Sequence, residues 1–594
     1  MKNIIVSLVL MTLLFGACKN QTKDTPKTSS ETTFEPMLKK YYEQGLQLDP
    51  IKATTSGDNR YDDLYTNALS LEHIEKQKEY YISYLKKVNS YDKTSLTGEQ
   101  QMSQAVLRWE CERNLERLAF KNHAYFPIDQ MWSPNLFFGQ LASGASAQPF
   151  KTPSDYKKWT QRVDGYLQWL ESAKINMQKG MQQGYVLPKS LIKKVIPQLK
   201  EMTNPVIEQH LFYTPVQNIP ASFSVEDKKE ITKLYIDMIT NKVIPTYQDI
   251  HDFVATEYLE NGRESSGIDG VPEGEAYYKH QIKLYTTTDM TADQIHNLGL
   301  NEVARILSEM EAVKNEIGFK GDLKAFFNDV RSNPKLMPFK SPQEVIANFN
   351  AIHATMKPSL EKLFDKTPKT PFEVRQTEAF REKSASAEYN SGSLDGTRPG
   401  IFYAPIPDAT KYNTYSDESL FLHEAIPGHH YQISLTQENK ALSDFRKTLW
   451  YSGYGEGWAL YCESLGKELG LYTDPYQYFG MLGAEMHRAI RLVVDTGMHT
   501  KGWSREKAIQ YSLDNEAESR EGIISEIERY MANPGQALSY KVGQLKLQQL
   551  RAKAKKQIGE RFDIREFHNQ VLETGCIPLA LLEDKINRWI EETM

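Results

Sequence analysis

The chain has 594 residues, of which 40% are hydrophobic, 25% charged and 11% aromatic, a composition ordinary for a globular protein with a sizeable core. That length allows several domains of average size, yet all-helical enzymes run this long around one cleft, so length alone leaves the domain count open. The 71 basic and 77 acidic residues leave a net charge of -6 and are mixed along the chain, which excludes the electrostatic footprint of a nucleic-acid binder.

At the N-terminus Lys2 precedes an apolar run from Ile4 to Leu14, followed by Phe15-Gly16-Ala17-Cys18 and an abruptly polar stretch. A bilayer span needs about 20 apolar residues, so this shorter run is expected to be a signal peptide over residues 1–17. The small pair Gly16-Ala17 before Cys18 resembles the lipobox of bacterial lipoproteins. It implies an exported protein of the cell envelope, held to the membrane only through an acylated Cys18. Residues 18–33 lack aromatic and large aliphatic side chains and are expected to form a flexible tether. Cys111, Cys462 and Cys576 are odd in number, far apart and without a CxxC pair, which argues against both a disulfide framework and a cysteine zinc site.

Residues 34–265 are expected to form an N-terminal helical part. Tyr156, Trp159, Val163, Tyr166 and Leu170 recur at spacings of three and four, as do Leu107, Cys111, Leu115 and Leu118, and both stripes are core-facing. Similar patterns run near 225–258, 291–315, 343–364, 505–530 and 579–591. The remainder, 266–594, is expected to carry the chemistry, either as its own unit or continuous with the first part. Its glycine-bearing opening, SGIDGVPEG, lacks the strand and GK[ST] context of a phosphate loop. Two short extended runs, PFEVRQ and PGIFYAP, lie between about 370 and 405 and predict a small sheet in a mainly α-helical protein.

Three of the thirteen histidines fall in His423-Glu424-Ala425-Ile426-Pro427-Gly428-His429-His430. Ser416 before Asp417 and Glu418 predicts a helix N-terminus, which puts His423 and Glu424 on a helix. In the HExxH pattern two histidines sit one turn apart and the glutamate is the general base. Here the second histidine comes two residues late. On a straight helix His430 would lie roughly 10 Å further along the axis, too far for both imidazoles to share a metal. Pro427 would clash with the His423 carbonyl and Gly428 permits unusual dihedrals, so the helix is expected to bulge or break and carry His429 back to the metal, with His430 beside the cleft. His430 as the ligand is the alternative. A third ligand is expected 27 residues beyond His429, where Glu456 and Glu463 sit seven apart in the apolar run Glu456-Gly457-Trp458-Ala459-Leu460-Tyr461-Cys462-Glu463. Buried carboxylates need a cation or donors, so Glu456 reads as a ligand and Glu463 as the carboxylate behind a ligand histidine. Two histidines and a glutamate leave an open position on one zinc ion per chain, the catalytic form of such a site.

At these residues the chain resembles a bacterial family of unknown function that carries HExxPGHH and EGWAxYxE and is grouped with the gluzincin peptidases. SGIDGVPEGEAYYKHQI, IHNLGLNEVARI, DGTRPGIFYAP and PGQALSYKVGQLKL are also similar to segments of that family. The resemblance implies a large helical zincin-like fold and zinc-dependent hydrolysis of peptide or other amide bonds. Tyr540, after the Pro534-Gly535 turn signal, resembles the tyrosine of related peptidases and is the first choice to share the developing negative charge, ahead of Arg529 and His499. Arg491 and Asp495, four apart, read as a helix-surface pair. The run Gly400 to Pro405 is the best strand available to hold a substrate backbone as a sheet edge. The leading expectation is a lipid-anchored zinc peptidase acting on peptides with Glu424 as base. Its rivals are hydrolysis of a non-peptide amide and a lipoprotein that binds peptides without turnover.

Overall fold

A computed structural model describes residues 31–144, 146–378, 382, 386–393 and 398–594. The signal sequence, Cys18 and the tether up to residue 30 lie outside the described residues. The tether is shorter than expected, because helix α1 (Glu31–Leu48) already includes residues 31–33. Phe34, Leu38 and Tyr41 recur at helical spacing and enter the core, Tyr41 against Tyr84 and Phe445, so the turn ahead of Phe34 is helical too.

Helices α2 (Gly98–Arg117) and α3 (Pro153–Gln182) each open with a reciprocal capping box, Thr97 with Gln100 and Thr152 with Asp155. The predicted stripe of α3 is buried in full. α4 (Ala292–Ile317) occupies the stretch expected near 291–315. The pattern at 505–530 is two helices, Arg505–Asn515 and Arg520–Ala532, because Glu516 leaves the helical region for an extended conformation. One hydrophobic core gathers residues between Leu69 and Tyr258, including the α3 stripe. A larger one joins α1 and α2 to the C-terminal half, from Phe34 through to Ile590. Among the described residues no helix is long and apolar enough to cross a membrane.

The small sheet falls where expected, with β1 (Phe372–Gln376), β2 (Glu388–Asn390) and β3 (Gly400–Ala404) in the order β1-β3-β2. β3 pairs in parallel with β1 and antiparallel with β2, so it is the central strand. This corrects the expectation that Gly400 to Pro405 offers an edge to substrate: both ladders of β3 are engaged, and the free edges belong to β1 and β2.

Six further helices build the site: α5 (Asp417–Glu424), α6 (His429–Glu438), α7 (Ser452–Glu463), α8 (Pro475–Thr500), α9 (Arg520–Ala532) and α10 (Ser539–Ile558). α7 and α10 cross with almost no side chain between them. A Cβ on Gly457 would lie 2.5 Å from the Gly543 Cα, and one on Gly543 would fall onto the Gly453 carbonyl. The glycines are therefore demanded by backbone approach. Gly543→Ala should cost about 1–3 kcal/mol, the usual penalty of overpacking a tight contact, measured as a shift of the urea midpoint at unchanged slope. A midpoint equal to that of the wild type would contradict so close a crossing.

Candidate metal centre

α5 carries His423 and Glu424 into the interior. Ser416 stands at the head of this helix as predicted, but its hydroxyl makes no cap bond; the Glu418 N–H is instead satisfied by the Gln477 Oε1 at 3.1 Å. The helix ends at Glu424 and a new one begins at His429, so the Pro427-Gly428 step is a full break. A Cβ at residue 428 would run into the His423 carbonyl, which is why glycine is needed there. The break sets the His429 ring 4.9 Å from the His423 ring at an angle of 89°.

Glu456 of α7 faces both rings. Its Oε2 lies 3.6 Å from the His423 Nε2 and 3.5 Å from the His429 Nε2, and one donor atom from each of the three residues lies within 4.8 Å of the others. These separations are too long for hydrogen bonds. They suit ligands around one tetrahedral cation, since metal–ligand bonds of about 2.0–2.2 Å set donor atoms roughly 3.3–3.5 Å apart. Behind the cluster the Glu463 Oε1 accepts from the His423 Nδ1 at 2.7 Å, which fixes the ring with Nε2 toward Glu456. Two imidazoles and a carboxylate with an orienting carboxylate behind them fit a divalent metal of the zinc type.

The electrostatics point the same way. Burial opposes charge on His423, yet the Glu456 and Glu463 carboxylates push it up to about 9. Glu456 is held far below its ordinary range, against its burial, by His423 and His429. The pocket thus calls for positive charge at the point where the three donors meet. Burial raises Glu424, with His423 and His429 opposing. Its carboxylate makes no hydrogen bond among the described residues and stays outside the three-donor group.

Of the two adjacent histidines, His429 joins the cluster and His430 does not. The His430 Nδ1 lies 3.0 Å from the Tyr389 hydroxyl of β2 and 3.3 Å from Ser434, and burial lowers the ring to about 4. His430 thereby ties the sheet to α6. His499 is likewise removed from the chemistry: its Nδ1 accepts the Ile268 N–H at 2.9 Å, its Nε2 donates to the Tyr530 carbonyl, and burial takes it down to about 3. The expected Arg491–Asp495 pair does not form. Asp495 accepts from the Tyr278 hydroxyl at 2.6 Å and from the Gly535 N–H, while Arg491 turns the other way to Glu526 and Tyr530. Both are buried, so the surface-pair rule does not apply.

Tyr540 occupies the first turn of α10, and a Ser452–Ser539 hydroxyl contact of 2.7 Å pins that turn beside α7, one turn before Glu456. Its ring lies over the Arg491 guanidinium, with Cζ 4.6 Å from the centroid. Arg529 donates to Glu526 and to Gln536. Sequence reasoning missed His487 and Arg488 of α8, which with His423, Glu463 and Glu516 line a cavity of about 180 Å³. The adjacent basic pair His487-Arg488, one turn before Arg491, was the available signal. Trp450 against His429 and Trp132 against Arg529 carried none, since each is an ordinary exposed aromatic in sequence.

Fold and site together define a mainly helical protein with a three-stranded sheet and a His-His-Glu cluster that could hold a metal. Residues 50–586 match the family described as bacterial protein of unknown function (DUF885), and the chain belongs to it. A solved structure of a candidate lipoprotein from Colwellia psychrerythraea is similar over 95% of this chain and 100% of its own, with a TM-score of 0.87 and 27% identity. A candidate lipoprotein of unknown function from Shewanella oneidensis covers 93% and 99% with a TM-score of 0.70; at 17% identity that likeness shows the fold alone. No curated protein matches the sequence.

Metal analysis of purified variants tests the cluster. His423→Ala, His429→Ala and Glu456→Gln should each lose the metal, His430→Ala should keep it, and Glu463→Gln should weaken binding by about 10–100-fold. Retention by His429→Ala with loss by His430→Ala would reverse the assignment.

Proposed function

We propose that this protein is a zinc-dependent peptidase of the zincin type, anchored in the bacterial cell envelope by a lipid on Cys18. One observation carries the reading: the His423, His429 and Glu456 donors converge at metal-ligand spacing, and the carboxylate of Glu424, directly after a ligand, accepts no hydrogen bond among the described residues. A structural site has no use for such a carboxylate. The HEAIPGHH and EGWALYCE segments, similar to the gluzincin pattern, support the same reading.

Zinc, when bound, supplies a Lewis acid that polarises the scissile carbonyl and brings the pKa of a bound water to about 7. His423, His429 and Glu456 hold it, and Glu463 keeps His423 in the correct tautomer through the Nδ1 hydrogen bond. Glu424 takes the proton of the attacking water and delivers it to the leaving nitrogen; burial, which raises its pKa, favours that exchange. The Tyr540 hydroxyl, at the start of α10, donates to the carbonyl oxygen as negative charge grows there.

Glu424→Gln keeps shape and most hydrogen bonding but cannot carry the proton. Its zinc content should match the wild type while turnover of a peptide library, read as new termini by mass spectrometry, falls by at least about 10²- to 10⁴-fold. Near-normal turnover would sink the mechanism, and loss of zinc would make Glu424 a ligand.

The anchor rests on the Gly16-Ala17-Cys18 signal and on the similar candidate lipoprotein from Colwellia psychrerythraea. In cells fed a fatty-acid analogue, the wild type should be labelled and Cys18→Ala should not; equal labelling of both removes the lipid anchor.

A further inference from the structure

Beside the candidate metal centre, α8 and α9 bring together three arginines that fall short of acidic partners. Arg491 and Arg529 share one carboxylate, Glu526, at 2.9 Å and 3.2 Å. Arg488 makes no ion pair among the described residues, and its guanidinium donates only to the Ala484 carbonyl of its own helix. His487 occupies Glu516 at 2.6 Å, so that carboxylate is taken. Arg491 and Arg529 against the single Glu526 leave one guanidinium charge unmatched, while Arg488 shares its cavity with Glu463, Glu516 and Glu518.

Each of these arginines also keeps a buried nitrogen with no hydrogen-bond partner: Nε of Arg488, Nη1 of Arg491 and Nε of Arg529. Side chains of Arg491 and Arg529 are only 6% and 10% exposed, so their unmet donors carry a real desolvation cost. Glu526 is held far below its ordinary range, against its burial, by Arg491, His487 and Arg529, which marks the surplus as electrostatic and local.

The location is informative. Arg488 and His423 line the same cavity, Arg491 lies one turn further along α8, and the Tyr540 ring covers the Arg491 guanidinium. Trp132, 58% exposed, comes from the loop before Pro134 in the N-terminal region and stands over Arg529, with Cζ 5.9 Å from its ring. Asp129 fixes that loop through the Met131 and Trp132 N–H groups, both at 2.6 Å. Trp450, 46% exposed, packs against His429. Positive charge therefore sits to one side of the metal cluster, rimmed by aromatic rings suited to apolar side chains.

We infer that Arg488, Arg491 and Arg529 form a subsite for the free C-terminal carboxylate of a short peptide, so that the site acts near the C-terminal end of its substrate. The inference rests on the peptidase reading for its chemistry, but the subsite can be tested by binding alone. Guanidinium groups with unmet planar donors match a carboxylate by charge-assisted, two-point hydrogen bonding. Trp132 over Arg529 shields that pairing from water, and Glu526 holds two of the arginines at a fixed separation.

The test uses the full-length, zinc-loaded Glu424→Gln protein and isothermal titration with three probes: N-acetyl-Phe-Ala-Leu as the free acid, the same peptide as its C-terminal amide, and N-acetyl-Phe-Asp-Leu amide. The free acid should bind at least about tenfold more tightly than either amide. Adding Arg488→Gln or Arg529→Gln should bring the ratio near one without changing zinc content. The acid-against-amide comparison needs no arginine variant, so a folding defect in one of them leaves the test intact. Equal affinities, no binding of any probe, or preference for the Asp-bearing amide overturns the inference. If the free acid is preferred but the protein with native Glu424 cleaves none of the probes or library peptides, the carboxylate subsite stands and the peptidase reading fails.

Discussion

A carboxylate set between two imidazoles is the interaction on which the rest of this molecule turns. Glu456, His423 and His429 come from three different helices, and three mostly buried donors set this close leave electron-rich atoms facing one another. A cation held at their meeting point would resolve this. Everything nearby serves that convergence: the break at Pro427-Gly428 lets α6 start where His429 is needed, Glu463 fixes the His423 ring, and Gln477 takes over the capping that Ser416 does not perform. A continuous helix from Asp417 to Glu438 would have satisfied the backbone better and lost the cluster.

Glu456 also depends on a backbone contact made by its own neighbour in sequence. α7 presents Gly453 and Gly457 to Gly543 of α10, and the backbones approach closely enough that the start of α10, with Ser539 and Tyr540, lies against the helix that bears Glu456. Any side chain at this crossing would push the start of α10, with Ser539 and Tyr540, away from α7. Dense packing transmits such displacements because cores have little free volume to absorb them.

The N-terminal region contributes more than bulk. Its core, from Leu69 to Tyr258, is distinct from the larger one, yet the loop carrying Trp132 reaches Arg529, and the Gln130 amide donates to the Glu528 carbonyl at 3.0 Å. The arginines of α8 and α9 are therefore framed by residues from opposite ends of the chain.

Sequence alone determined the helical character and the small sheet near 370–405, and it pointed to the stretches that bring His423, Glu456 and Glu463 together, because each is written in local spacing: an apolar stripe, a proline in a helix, a carboxylate in apolar company. Those signals act over a few residues and survive any tertiary arrangement. Only the folded structure decided between His429 and His430, since both follow the same break and their difference is the direction of one helical step, toward Glu456 or toward Tyr389. It likewise removed His499 to a backbone clamp, parted Arg491 from Asp495, and placed β3 at the centre of its sheet. Partner choice among buried polar groups is set by whichever donor or acceptor the packing brings within about 3 Å, and those partners lie tens to hundreds of residues away in a chain whose spacing says nothing about them.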